Sequence, residues 1–335
     1  MRLDELIDEA RKAMPAAVTV SDKRAAVEGI TDSTEEVAAG YIFVCIKGAR
    51  FDGHDFADEA LEKGALCVVA EYDLGLDNQI VVSDTREFYG HLCAVWFNHP
   101  ERRMKLIGVT GTNGKTTLAT MIKEVLAAKG HRVGFIGTTG CLINGKPVQT
   151  DGSTPTTPRV FELYKLWYDM AKSGCDCVVM EVSSFALAQN RIGPAKFRIA
   201  VFTNLSRDHL DYHGDMESYY EAKKKLFTEH CETAVINIDD RYGMRLWQEL
   251  ANSGVERISC SVSGQAAELK GDKIKFEGGI TRFWISASNK NYPFALPMMG
   301  LYNVLNAVEA IAVCIKLSLP INAIAAAMGG FPGVK

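Results

Sequence analysis

Ten residues constrain this chain more than any other stretch: Gly108-Val109-Thr110-Gly111-Thr112-Asn113-Gly114-Lys115-Thr116-Thr117. An apolar run, Met104 to Val109, leads into them, and a helix-like stretch ending near Gly130 leads out. That is the layout of a strand, a phosphate-binding loop and a helix. Glycines let successive backbone N–H groups turn toward one anion, and the helix presents its positive end. Lys115 adds a full charge, and the Thr116 hydroxyl can hold Mg²⁺. The spacing is a variant: G-x-x-x-x-G-K-[ST] asks for glycine at 109, where this chain has Val109 between Gly108 and Gly111. The loop points to a nucleoside triphosphate; the competing reading is a glycine-rich strand-to-helix turn with no ligand.

At 335 residues and 47% hydrophobic composition the chain is long enough for about two domains. A net charge of −4 gives no reason to expect a nucleic-acid partner. No apolar run approaches the roughly 20 residues that span a bilayer, and Met1-Arg2-Leu3-Asp4-Glu5 lacks a signal pattern, so no membrane partner and a cytoplasmic setting are expected. Nine scattered cysteines, several inside apolar runs, read as buried reduced thiols. Cys175 and Cys177 are too close for half of a C-x₂-C zinc site, which argues against a metal or redox role for them.

From Ile30 to Ala70 short β-like runs (Tyr41 to Ile46, Ala65 to Ala70) alternate with turn signals and a helix-like stretch, Phe56 to Lys63. A further helical stretch, Phe88 to Phe97, reaches the break Asn98-His99-Pro100, so the domain boundary is expected near residue 101. Beyond it strands and helices alternate: Leu106 to Thr110, a helix from Thr116, Arg132 to Ile136, a helix from Arg159 to Ser173, Cys177 to Val182. Ile199 to Thr203, a helix ending near His230, and Ala234 to Ile238 continue the order. Such alternation predicts parallel strands with helical crossovers and ligands at the strands' C-terminal ends. From Arg257 to Pro297 short β runs, with turns expected at Gly271-Asp272 and Gly278-Gly279, predict an antiparallel appendage before helices at Tyr302 to Lys316 and Ile321 to Met328. The expected fold is α/β: a small N-terminal α/β domain, 1–101, and a mostly parallel-sheet phosphate-loop ATPase domain, 102–335.

Three further groups carry possible chemistry. Glu181 ends the strand Cys177 to Met180, where a carboxylate either binds Mg²⁺ or is a solvated strand end. The run Thr203 to Gly214 packs His209, His213, Asp208 and Asp211 into six residues, a candidate metal site, although each His singly is more often structural. Lys223-Lys224-Lys225 on the following helix reads, on sequence grounds alone, as a solvated basic face.

Taken together these residues resemble the Mur ligases, most closely the MurE type, over nearly the whole chain. The likeness rests on Gly111 to Thr117, on Met180-Glu181-Val182-Ser183-Ser184, and on Ser206-Arg207-Asp208-His209-Leu210-Asp211-Tyr212-His213-Gly214. Ala222-Lys223, Asn237 with Asp239-Asp240, Tyr302-Asn303-Val304-Leu305-Asn306 and Asp52-Gly53-His54 support it. The resemblance implies an ATP-dependent ligase that joins an amino acid, meso-diaminopimelate or L-lysine, to UDP-N-acetylmuramoyl-L-alanyl-D-glutamate through an acyl phosphate in peptidoglycan precursor synthesis. The alternatives are another Mur or folylpolyglutamate-type ligase, and a non-catalytic protein that binds ATP and a UDP-sugar peptide.

The resemblance further implies that Gly111, Thr112, Asn113, Gly114, Lys115, Thr116 and Thr117 hold ATP phosphates and that Asn303 and Asn306 contact adenine. Thr116 and Glu181 serve one Mg²⁺, and His209 and a carbamylated Lys223 a second. Ser33, Ala49, Arg50 and Phe51 match positions that hold the uridine diphosphate end of the substrate; Thr156, Thr157, Ser183, Gln189 and Arg191 match those that hold its peptide end. The chain departs from the pattern at Thr34, where the family usually has Arg, and at Phe185, where it usually has His. It also stops at Lys335, where the family continues into a third domain with the amino-acid pocket; a chain lacking that domain is expected to bind substrates yet be inactive alone.

Overall fold

The computed structural model describes residues 1–48, 50–150, 152, 154–287 and 290–333. Contacts divide the chain into two compact units: Met1–Pro100 with Arg159–Tyr168 and Gln189–Pro194, and Glu101–Pro158 with Asp169–Ala188 and Ala195–Lys335. The sequence reading placed a single cut near residue 101; it did not anticipate the two later segments that belong with the first unit.

The first unit runs α1 (Leu3–Arg11), β1 (Ala16–Thr19), β2 (Gly29–Thr31), β3 (Tyr41–Val44), α2 (Ala57–Glu62), β4 (Cys67–Ala70), β5 (Gln79–Val82) and α3 (Thr85–Trp96). Its five strands order β1-β5-β4-β3-β2, parallel except for β1. Strands β3 and β4 are buried on both faces, which is why they read as continuous apolar runs.

The second unit opens with β6 (Lys105–Thr110), α4 (Lys115–Ala128), β7 (Val133–Gly137), β8 (Gly140–Ile143) and β9 (Lys146–Val148). Helix α5 (Val160–Lys172) begins in the first unit and ends in the second. Then come β10 (Cys177–Glu181), α6 (Ser184–Ala188), β11 (Phe197–Phe202), α7 (Leu210–His213), α8 (Met216–Thr228), β12 (Cys231–Asn237) and α9 (Arg241–Glu249). The rest is β13 (Glu256–Ser261), β14 (Leu269–Glu277), β15 (Ile280–Ala287), β16 (Lys290–Leu296), α10 (Leu301–Lys316) and α11 (Ile321–Gly329).

One eleven-stranded sheet follows the order β16-β15-β14-β13-β12-β11-β6-β10-β7-β8-β9. The chain leaves β6 toward β7 on one side and, after β10, crosses to β11 on the other, so strand order reverses at β6. Loops at such a reversal splay apart and leave a crevice at the strands' C-terminal ends. Helices α4 and α10 cover one face, with Leu118, Ile122, Val304, Val308 and Ile311 in the same buried cluster as Ile107, Val109 and Val201.

The region after Arg257 differs from expectation in two ways. Strand β13 pairs parallel with β12 and β14 parallel with β13, so the antiparallel part begins only with the β14-β15-β16 meander. Gly278 and Gly279 do turn the chain, with φ of 58° and 80°. Gly271-Asp272 is no turn but lies inside β14. A Cβ on Gly271 would sit 3.0 Å from Val262 and 3.1 Å from Val308, so this glycine admits the close approach of α10. The antiparallel β7-β8-β9 extension of the opposite edge was also not foreseen; its signal is Asn144-Gly145, with φ of 51° and 78°. Among the described residues no helix is long and apolar enough to cross a membrane.

Glu309, on α10, is wholly buried, and neither carboxylate oxygen has a hydrogen-bond partner among the described residues. Burial, reinforced by the Asp239 charge, pushes this carboxyl well above the usual carboxylate range. Between its unfolded value and that raised value the folded chain binds more protons than the unfolded one, so stability falls as pH rises through the window. Glu309→Met is therefore expected to raise stability by roughly 1–4 kcal/mol at pH 8, with a smaller gain at pH 5. Thermal melts at the two pH values check this; a gain that does not grow with pH contradicts it.

Candidate functional site

Helices α3, α8 and α9 start under aspartate caps: Asp84, Asp215 and Asp240 each accept from backbone N–H groups of the first turn. Helix α4 starts at Gly114, which has no side chain to offer, so its first amides remain open to an external anion. Gly111 and Gly114 have φ of 149° and 88°, and added Cβ atoms would lie 1.9 Å from Thr203 Oγ1 and 2.6 Å from Asn306 Oδ1. The loop is thus pressed between the end of β11 and α10.

Asn204 fixes its shape: Thr112 N–H donates to the Asn204 carbonyl (2.8 Å), Asn113 N–H to Asn204 Oδ1 (3.0 Å), and Asn204 Nδ2 back to the Asn113 carbonyl (3.0 Å). Thr203 Oγ1 donates to that same carbonyl at 2.7 Å, and Asn237 Nδ2 donates to the Thr203 carbonyl at 2.6 Å. The sequence reading gave Thr203 and Asn204 no such role; the one available signal was a Thr-Asn pair ending an apolar strand. Lys115 Nζ folds back to donate to the carbonyls of Gly111 and Thr112, both at 2.9 Å. Burial lowers its pKa, opposed by the charges of Glu181 and Asp208. Thr117 lies in the first turn of α4, half-buried.

Glu181 is fully buried rather than a solvated strand end. Its strand pairs in parallel with β6, Glu181 opposite Val109, which sets the carboxylate beside the loop. Thr116 Oγ1 donates to Oε2 at 3.0 Å, Thr138 N–H to Oε1 at 2.8 Å and Thr138 Oγ1 to Oε2 at 3.3 Å. A buried carboxylate touching a hydroxyl at the mouth of an anion-binding loop is a hard-oxygen donor set, and it fits Mg²⁺.

The two histidines of the Ser206–Gly214 run face different partners. His209 caps α7 with φ of 53°, is exposed, lies 3.5 Å from Asp208 Oδ2 and meets the Phe185 ring edge-on at 5.0 Å. His213 Nε2 is 2.9 Å from Ser184 Oγ, and its ring stacks on Tyr219. Burial, then Lys223 and His209, lowers the His213 pKa.

Lys223 corrects the solvated-face reading. It is buried on the α8 face that carries Tyr219, Leu226 and Phe227, while Lys224 pairs with Glu221 and Glu249 and Lys225 is exposed. Lys223 Nζ donates to the Gly111 carbonyl at 3.0 Å and lies 3.4 Å from Thr110 Oγ1. Burial, then repulsion from Lys115, pulls its pKa well below the usual lysine range.

Asn303 and Asn306 stand on α10, both buried; Asn303 Nδ2 donates to the Met299 carbonyl at 2.8 Å. Thr156 Oγ1 is 3.2 Å from Thr138 Oγ1. Thr157 Oγ1 donates to the Glu181 carbonyl at 3.0 Å and accepts from Ser183 N–H at 3.0 Å, so both are wired to the strand that ends in Glu181. In the first unit Ser33 N–H donates to Thr31 Oγ1 at 3.0 Å, Arg50 and Phe51 are exposed, and Arg191 donates twice to Gln189 Oε1 at 3.0 and 2.7 Å. Ala49 lies outside the described residues.

Away from the loop, at the start of β10, His131 Nδ1, Asp176 Oδ2 and Cys177 Sγ lie within 4.8 Å of one another, with His131 and Asp176 hydrogen-bonded at 2.8 Å. The apolar run around Cys177 and its spacing from Cys175 argue against a metal role for it, and the thiol is buried.

Residues 109–314 match the Mur ligase middle domain, and residues 26–96 match the Mur ligase family, catalytic domain. The UDP-N-acetylmuramoyl-L-alanyl-D-glutamate–2,6-diaminopimelate ligase of Clostridioides difficile (strain 630) is 35% identical over 296 residues, 88% of this chain and 60% of that protein. The ligase of the same name from Aquifex aeolicus (strain VF5) is 40% identical over 288 residues, 85% of this chain and 58% of that protein. A solved structure of a ligase of that name superposes with a TM-score of 0.87 at 27% identity, covering 100% of this chain and 67% of the other. The chain thus spans about three fifths of the length of these curated relatives.

Proposed function

The chain belongs to the Mur ligase family, and from that premise we propose that it serves ATP-dependent addition of meso-diaminopimelate to UDP-N-acetylmuramoyl-L-alanyl-D-glutamate, in the cytoplasm. The observation that carries this reading is the gathering of Lys115, Thr116, Glu181 and a buried Lys223 around one anion-binding loop. The choice of diaminopimelate over lysine rests on the relatives' names.

In this reading a substrate carboxylate oxygen attacks the γ-phosphorus, the bond to ADP breaks, and an acyl phosphate forms. The amine then attacks the acyl carbon, phosphate leaves, and the amine nitrogen loses a proton. Both reactants of the first step are anions, so the site must neutralise charge before they meet. The open amides of α4 and Lys115 hold the triphosphate. Thr116 and Glu181 would hold one Mg²⁺, and His209 with a carbamate on Lys223 a second; the metal supplies charge neutralisation at the transferring phosphoryl group. The carbamate forms when the neutral Lys223 amine attacks carbon dioxide, making a C–N bond and releasing one proton. Ser33, Arg50 and Phe51 hold the uridine diphosphate end; Thr156, Thr157, Ser183, Gln189 and Arg191 hold the peptide end.

Calorimetric titration tests the substrate assignment. UDP-N-acetylmuramoyl-L-alanyl-D-glutamate is expected to bind at least about tenfold more tightly than UDP-N-acetylmuramoyl-L-alanine or a folylglutamate, and Arg191→Ala to weaken it by about tenfold, the scale of one charged hydrogen bond. Equal binding of the three ligands, or a preference for either of the others, overturns the assignment in favour of another ligase of this superfamily.

A further inference from the structure

Thr138 follows β7, the strand that pairs in parallel with β10, and both its backbone and its side chain reach the carboxylate at the end of β10. The backbone N–H donates to Glu181 Oε1 at 2.8 Å. The hydroxyl donates at 3.3 Å to Oε2, the oxygen that also accepts from Thr116 of the phosphate loop. Gly137 admits this approach, since a Cβ there would lie 2.4 Å from Oε1. The same Thr138 Oγ1 lies 3.2 Å from Thr156 Oγ1, in the segment that Thr157 ties to the Glu181 carbonyl and the Ser183 N–H. Thr156, Thr138, Glu181 and Thr116 thus form one line of hydrogen bonds within the second unit.

A hydroxyl carries one proton, so Thr138 donates at full strength either to Glu181 or to Thr156. While the Thr156 proton points at Thr138, the Thr138 proton points at Oε2 and occupies a lone pair that a cation would use. A carboxylate arriving at Thr156 takes the Thr156 proton. The contact between the two threonines then survives only with Thr138 as donor, and that turns its proton away from Oε2. The Thr138 backbone N–H stays on Oε1 in both arrangements, so the carboxylate keeps its aim. We propose that Thr138 is a positioning residue whose hydroxyl couples the two ends of the site: an anionic peptide end at Thr156 and Mg²⁺ at Glu181 each strengthen binding of the other, by the same factor. This rests on the reading of Thr156 as a substrate-holding residue and of Glu181 as a metal ligand, and deepens it.

The test is calorimetry on this chain loaded with the non-hydrolysable β,γ-methylene analogue of ATP, titrated with UDP-N-acetylmuramoyl-L-alanyl-D-glutamate or with UDP, each with and without Mg²⁺. In the parent Mg²⁺ is expected to tighten the dipeptide ligand at least about tenfold more than it tightens UDP, the scale of one hydrogen bond to a charged group. Thr138→Val keeps the side-chain shape and the backbone N–H and is expected to lose about that tenfold; Thr138→Ser keeps the hydroxyl and retains it. Coupling in Thr138→Val equal to the parent's overturns the proposal, because through-space attraction then accounts for it. So does a loss of dipeptide affinity that is the same with and without Mg²⁺, or a loss of coupling shared by Thr138→Ser, since either marks packing rather than the hydroxyl. A parent chain that binds the dipeptide ligand no better than UDP overturns the reading of Thr156 itself, and the coupling with it.

Discussion

In a ligase of the relatives' full length, Lys115→Ala is expected to reduce ATP turnover by about 10²-fold or more, and in the present chain to weaken Mg²⁺-dependent ATP binding. In the folded chain Lys115 Nζ is held by two backbone carbonyls of the loop it serves, Gly111 and Thr112, at 2.9 Å each. The ammonium is therefore held against the loop before any ligand arrives. Partial burial strengthens its field, and Glu181 and Asp208 offset the tendency of that burial to neutralise it. Removing a preorganised donor of this kind costs about 10²–10³ in rate. Lys115→Arg keeps the charge but replaces a compact ammonium with a planar fork too wide for the same two carbonyls, so only partial recovery is expected. Turnover by Lys115→Ala within about threefold of the parent would falsify the assignment of this loop to the phosphates.

The second large effect belongs to Lys223. Its amine is buried, donates to the Gly111 carbonyl and lies near a second lysine, so the neutral form is favoured. An unfolded lysine titrates near about 10.4. Below that value and down to the lowered folded one, the unfolded chain binds more protons than the folded one, so stability rises with pH across the window. In buffer free of carbon dioxide, Lys223→Met is expected to melt above the parent at pH 7, with an advantage that shrinks toward pH 10. In ¹³C-bicarbonate the parent should show a carbamate carbonyl resonance that Lys223→Met lacks. In a ligase of the relatives' full length, Lys223→Ala should lose about 10²-fold in turnover, the scale of losing one preorganised electrostatic group, and recover in part with acetate or formate. An amine that titrates in the ordinary lysine range, with no carbamate signal, removes Lys223 from the site.

The contrast between Lys223 and its neighbours separates what could be read early from what could not. As a tripeptide of lysines on a charged helix, 223–225 carries the signature of a solvated face, and for Lys224 and Lys225 that signature holds. Only the docking of α8, which turns Tyr219 and Lys223 inward together, distinguishes one lysine from the next. The resemblance had singled out Lys223; periodicity had not. Glu181 behaves alike, since position in the chain says that it ends a strand, whereas its full burial follows from that strand pairing with β6 in the middle of the sheet.

The alternation of β and α runs, the strand before the loop, the helix after it and the glycines within it are local properties. Backbone sterics and hydrophobic period act over a few residues, and those elements appear in the structure close to where the sequence placed them. Gly271 shows the limit of such reading: the same residue type that marks a turn at Gly278-Gly279 here marks a close helix approach, and nothing within a few residues tells the two apart. The bracing of the loop by Thr203 and Asn204, the buried carboxyl of Glu309 and the depressed basicity of Lys223 involve groups tens to hundreds of residues apart. By itself the sequence determined the elements, their order and the phosphate loop. Tertiary structure alone decided which charged groups lie buried and what faces them, because desolvation depends on every atom packed around a group rather than on its neighbours in the chain.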